Sequence, residues 1–348
     1  MKLFTCTNCA EIIYFENTWC QNCGYSIGLI EENNQLFALS AKDNTFKKSS
    51  SDYQYCANHQ FNICNWLVPA NAGISYCKAC ELNRTIPDLQ NQQYREQWAK
   101  IESAKHRLIY SLLRQQLPFM SKQKDAAKGL CFDFVADEKD KKVFTGHDNG
   151  LITINIAEAD DIEREMAKRN MHEPYRTVLG HFRHEVGHYY WDMLIANSNN
   201  IETFRQLFGD DRRDYNEALQ QHYNQGAAIN WTENYISAYA SSHPWEDWAE
   251  TWAHYMHIMD TLETACSFGI QVRPGIAKTK TLNAQINNDP YTEKSFEKII
   301  QEWLPVTFAM NSLNRSMGVA DIYPFVITPV VKQKLEYVHN ICYGLRKK

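Results

Sequence analysis

Eight of the eleven cysteines in this 348-residue chain fall within its first 80 residues, and their spacing constrains the fold more than any other feature. Cys6 and Cys9 form one C-x2-C pair and Cys20 and Cys23 a second, followed by Gly24, whose freedom at positive φ suits the tight turn of a metal knuckle. Four thiolates so arranged predict a structural zinc ribbon. A second set, Cys56, Cys64, Cys77 and Cys80, has one C-x2-C half, and His59 is an alternative donor to one of its thiols. A segment this short cannot bury enough apolar surface to fold unaided, so the zinc is expected to be structural, with no open coordination position. Cys131, Cys266 and Cys342 stand alone and read as small core residues.

Disulfides are the competing use of so many cysteines. They need an oxidising compartment, yet the N-terminus lacks a signal-peptide pattern, no run of about 18 apolar residues occurs, and a cytoplasmic protein is expected. With 41 acidic against 36 basic residues the net charge is −5, which gives no field for nucleic acid or an anionic membrane. Residues 1–84 alone carry six Lys/Arg against seven Asp/Glu, which argues against a ribbon that grips DNA or RNA.

A polar, Ser/Lys-rich stretch over residues 39–54 reads as a linker or exposed loop, and a boundary is expected near Arg84. The chain therefore divides into a ribbon at 1–40, a second cysteine-rich module at 41–84 and a larger domain at 85–348. In that domain a helix is expected from Pro87 to about Pro118, with Tyr94, Trp98, Ile101, Leu108 and Leu112 on one face. Short strands at 130–134 and 143–145 precede a turn at Gly146–Gly150 and a strand at 151–156, in which Ile152, Ile154 and Ile156 alternate with polar residues. Beyond Ala157 helical periodicity dominates, over 160–171, 174–195, 202–208, 215–223, 231–239, 245–268, 291–303 and 330–342. The fold class is α+β, mainly helical with a small antiparallel sheet.

The chemistry lies in the helix expected to start near Pro174, which contains His184-Glu185-Val186-Gly187-His188, an HExxH motif. Residues four apart stack on one helical face, so both imidazoles can grip one Zn2+, while Glu185, about 100° round from His184, can act as general base on a water there. The strand at 151–156 would hold an extended peptide by its backbone, with Ile152 and Ile154 as substrate-binding residues.

A catalytic zinc takes three protein ligands and leaves a fourth position open. The third is sought in HPWEDWAETWAHY, where Glu246 and Glu250 share a helical face among Trp245, Trp248, Trp252 and Tyr255. Glu246 is the expected ligand and Glu250 the acceptor for the outer N–H of a zinc histidine, although the reverse order fits the spacing too. Asp247 and His254 are weaker candidates. Tyr239, seven residues before Glu246, is the expected oxyanion donor, with Tyr235, His243 and His222 as substitutes. Trp191, Trp245, Trp248 and Trp252 read as core.

The segments CNWLVP, CKACELNRTIPDL, FTGHDNGLITINIAEAD, EPYRTVLGHFRHEVGHYYWD and SAYASSHPWEDWAETWAHY together resemble the bacterial zinc-binding metallopeptidases with an N-terminal zinc-ribbon domain. The resemblance spans almost the whole chain. It implies a gluzincin-like zincin fold over 85–348, with His184, His188 and Glu246 as ligands and Glu185 as base. More distantly, E-x2-A-E with a tyrosine seven residues upstream is similar to the metal site of the anthrax lethal factor group, which favours Glu246 over Glu250 and Tyr239 over the other tyrosines. The expected function is a zinc peptidase acting on peptides or proteins, with one catalytic zinc and one or two structural ones. The alternative is an adaptor whose ribbons bind a protein or nucleic acid and whose HExxH site is structural or latent.

Overall fold

A computed structural model describes residues 2–39, 46–48, 51–138, 142–160, 177–276 and 280–346. The helix expected over 160–171 and the start expected near Pro174 lie outside these residues. The chain forms two compact units, residues 1–146 with 150–164, and residues 147–149 with 165–348. The architecture is α+β with several small sheets.

In the first unit, Phe4–Thr5 pairs antiparallel with Ile12–Ile13, and Cys6, Cys9, Cys20 and Cys23 converge beside them. The two knuckles are alike. The amide of Ala10 returns to Cys6 O and that of Gly24 to Cys20 O, each at 2.9 Å, with φ of 62° and 73°. Gly24 meets that requirement at little cost, whereas Ala10 holds a conformation uncommon for a residue with a Cβ.

Ser26–Ile30 and Gln35–Leu39 form an antiparallel hairpin. Part of the stretch expected to be a linker is instead sheet, because Phe46–Lys48 pairs with Ser51–Tyr55, which pairs in turn with Leu67–Pro69. Polar composition hid a two-residue alternation: Tyr53 buries against Ile30, Leu39 and Leu67, and Tyr55 packs partly buried on the same cluster.

The long helix α1 runs Gln92–Arg114, later than the expected start at Pro87, because the Asn91 side chain caps it by accepting from the Gln93 and Tyr94 amides. Its Tyr110 packs edge-on to Phe4 and Phe15, with ring centroids 6.4 and 5.1 Å away. Helix α1 is thus part of the core that the ribbon builds.

The sheet that contains the strand at 151–156 is not purely antiparallel, and one expectation about that strand fails. Leu151–Asn155 pairs with Cys131–Val135 in parallel, not antiparallel, and Cys131–Val135 pairs parallel with Asn83–Thr85. The residues between the first two strands include the outer hairpin strand, Gly146–Asp148, in place of the strand expected at 143–145. Its turn is Asn149–Gly150, with φ of 48° and 81°, the positive pair that a two-residue hairpin loop demands. Ile152 and Ile154 are fully buried. They are core residues of a strand with neighbours on both edges, so the assignment of either to substrate binding is withdrawn.

The second unit is helical: α2 (Val178–Leu194), α3 (Ile201–Phe208), α4 (Tyr215–Gln225), α5 (Pro244–Ser267), α6 (Phe296–Ser316) and α7 (Pro329–Leu345), with one helical turn at Trp231–Asn234. The helix expected over 231–239 stops there because Ser237 spends its hydroxyl on Glu250 Oε2 (2.6 Å) and on the Ala240 amide (3.1 Å). The core axis is α2 against α5. A Cβ built on Gly187 would sit 3.0 Å from Ala249 Cα and 3.2 Å from Trp252 Cβ, so only glycine allows this approach. Trp248 Nε1–H donates to Gly187 O at 2.8 Å across the same contact. Trp248, Trp252 and Tyr255 are fully buried.

Candidate metal centre

The cysteines form two separate four-sulfur groups, each with all its ligand atoms within 4.8 Å. Cys6–Cys23, Cys9–Cys20 and Cys64–Cys77 each have sulfurs 3.7 Å apart. A disulfide needs about 2.05 Å, whereas tetrahedral zinc with bonds of about 2.3 Å sets sulfurs roughly 3.8 Å apart. The donor sets therefore fit zinc. His59 takes no part, because its Nδ1 bonds Cys64 O at 2.8 Å and its ring stacks on Tyr55. All four members of the second group are buried, while Cys9 and Cys23 of the first are half-buried.

Thr177 starts α2 by accepting from the Gly180 amide at 2.9 Å, and about two turns later His184 and His188 share a face. Their Nε2 atoms lie 3.2 Å apart. From α5, Glu246 Oε2 lies 2.9 Å from His184 Nε2 and 3.5 Å from His188 Nε2. Roughly 3.4 Å is the edge expected of a tetrahedron with zinc–N and zinc–O bonds near 2.0–2.1 Å. Glu250, one turn on, approaches the other nitrogen, its Oε1 being 2.7 Å from His184 Nδ1. Helix α5 can present both because His243 caps it, Nδ1 accepting from the Trp245 amide at 3.1 Å, with Pro244 in the first turn.

Hydrogen-bond chemistry argues for a cation. Carboxylates only accept, so His184 Nδ1 carries a proton toward Glu250, and a neutral His184 turns a lone pair at Nε2 toward Glu246 Oε2. That oxygen is buried and, with His184 neutral, accepts no hydrogen bond from the described residues. Burial opposes a charge on His184, but Glu246 and Glu250 outweigh it and draw positive charge to this position, where a proton on Nε2 would stand in the place of a metal cation. Burial raises Glu246, yet His188 and His184 bring it well below the usual carboxylate value. Burial raises Glu185, with His184 and His188 opposing. Zn2+ fits the donor set.

Tyr239 lies with its ring centroid 6.0 Å from that of His184, and His222 is 6.0 Å beyond it. His243 is occupied as the cap and faces Arg213 O at 3.2 Å, while Tyr235 lies under the Lys334 ammonium at 4.3 Å. Asp247 turns away to pair with Lys334 at 2.6 Å, and His254 Nδ1 meets Tyr323 Oη at 2.8 Å. Trp245, expected as core, is half-buried and stacks on His188 with centroids 3.6 Å apart. Tyr215, Ser237 and His147 were not singled out by the sequence. The His147 side chain is 2% exposed, with its ring centroid 6.1 Å from that of His188 and Nε2 4.0 Å from Asp192 Oδ2. Each lies far along the chain from the atoms it approaches, so spacing carries no signal for it.

Paired cysteine modules ahead of an HExxH helix, with a glutamate supplied from a second helix, define the class of zinc-binding metallopeptidases. The chain belongs to the family described as "Putative zinc-binding metallo-peptidase", whose profile matches residues 94–341, and a zinc-ribbon domain profile matches residues 3–91. Uncharacterized proteins of Mycobacterium tuberculosis and Mycobacterium bovis are each 39% identical over 342 residues, covering 98% of this chain and 95% of their own. No solved structure matches. Among the described residues no helix is long and apolar enough to cross a membrane.

Proposed function

We propose that the chain is a zinc-dependent peptidase, with His184, His188 and Glu246 holding the catalytic zinc and the two cysteine groups holding structural zinc. The observation that carries this reading is the buried Glu246 Oε2, which faces two imidazole nitrogens at 2.9 and 3.5 Å and, with His184 neutral, has no hydrogen-bond donor among the described residues. Zinc there would acidify a water and polarise a peptide carbonyl. Glu185 takes the proton of the attacking water and returns it to the leaving amine, and its raised pKa suits a group that must both accept and release. Glu250 fixes the His184 ring through Nδ1, and Ser237 fixes Glu250. Tyr239 donates to the carbonyl oxygen as it gains charge.

The test uses full-length protein and dye-labelled casein. Wild type is expected to cleave it and to carry three zincs per chain, and Glu185→Gln to keep the zincs and lose cleavage. Full activity in Glu185→Gln, or a wild type whose only zinc is cysteine-bound, would sink the reading.

A further inference from the structure

The Tyr215 hydroxyl, at the start of α4, donates to Glu246 Oε1 at 2.6 Å, across 31 residues of chain. A carboxylate only accepts, so the Tyr215 proton is committed to Glu246. The Tyr215 ring is held edge-on by Trp245 and His243, each with its centroid 5.4 Å away. Trp245 stacks on His188 and His243 caps α5, so the phenol rests on groups that the centre itself fixes.

The two oxygens of Glu246 therefore have different surroundings. Oε1 takes a hydrogen bond from Tyr215, whereas Oε2 faces the imidazoles and, with His184 neutral, accepts none from the described residues. A glutamate with both oxygens free can close on a cation bidentately and take up the position that a water needs.

We propose that Tyr215 is a positioning residue that restricts Glu246 to one-oxygen coordination and so keeps the fourth position of the zinc open. The inference rests on the reading of His184, His188 and Glu246 as zinc ligands. Tyr215→Phe removes one oxygen and keeps the ring contacts, so the fold is retained.

Full-length wild type and Tyr215→Phe are stripped of the histidine-site zinc alone, leaving the cysteine-bound zincs in place. The vacant site is then titrated with zinc against a chelator, and separately loaded with Co2+ for its visible spectrum. Tyr215→Phe is expected to bind zinc there about 10- to 100-fold more weakly. Its cobalt bands should lose intensity, as happens when four-coordinate cobalt gains a fifth ligand. A cobalt spectrum equal to wild type overturns the proposal, whatever the affinity does, because a merely structural tyrosine would leave coordination number alone. A wild type that takes up no metal at this site overturns the zinc reading itself, and the two failures are thereby distinguished.

Discussion

Gly187 of the HExxH helix meets Ala249 of the glutamate helix with no room between them, a Cβ on the glycine falling 3.0 Å from Ala249 Cα. Gly187 lies between the two histidines, and Ala249 lies between the two glutamates. The closeness of the two backbones is what brings Glu246 within 2.9 Å of His184.

Gly187→Ala should therefore act on stability and on metal together. The neighbours are backbone and a Cβ, which cannot swing aside, so the helices separate at a cost of about 1–3 kcal/mol. A melting temperature lower by roughly 2–12 °C, with loss of the histidine-site zinc and retention of the cysteine-bound zincs, is the expected result of calorimetry and elemental analysis.

The two glutamates should separate by their effects on metal. Glu246→Ala removes a donor and should abolish zinc at that site. Glu250→Ala leaves His184 Nδ1 without its acceptor and should weaken zinc about 10- to 100-fold. Chelator competition on both variants checks this, and equal affinities would show that the two roles are misassigned.

Cys20→Ser and Cys77→Ser should each lower the zinc content by one per chain. Cys77 and its three partners are buried, whereas Cys9 and Cys23 are half-buried. Thermal unfolding should accordingly fall further for Cys77→Ser, because that module loses its metal inside a core and not at a surface.

Lys334 and Asp247 form a pair with side chains 3% and 0% exposed, 2.6 Å apart. Lys334→Met leaves a buried carboxylate uncompensated and should cost about 3–5 kcal/mol. Adding Asp247→Asn should recover most of this, and denaturant unfolding of the single and double variants gives the coupling.

Local spacing made much of the centre legible. HExxH sets both imidazoles on one face by helical period alone, and E-x3-E does the same for the two carboxylates. The order of the glutamates was not fixed by that spacing, since both lie on one face. The strand at 151–156 misled on substrate binding for a similar reason: its alternation and its hairpin partner Gly146–Asp148 are local, but the pairing of its other edge with Cys131–Val135 depends on a segment farther away in the chain. Tyr215 carries no local pattern at all.

The sequence by itself determined which atoms can bind metal, because cysteine pairs three apart and histidines four apart are set by backbone geometry that needs no tertiary partner. Only the tertiary structure decided which carboxylate oxygen faces the imidazoles, that His59 stays out of the second cysteine group, and that Ile152 and Ile154 are core. Those outcomes depend on contacts between segments far apart in the chain, fixed by side-chain packing at Gly187 and by hydrogen bonds such as Tyr215 to Glu246.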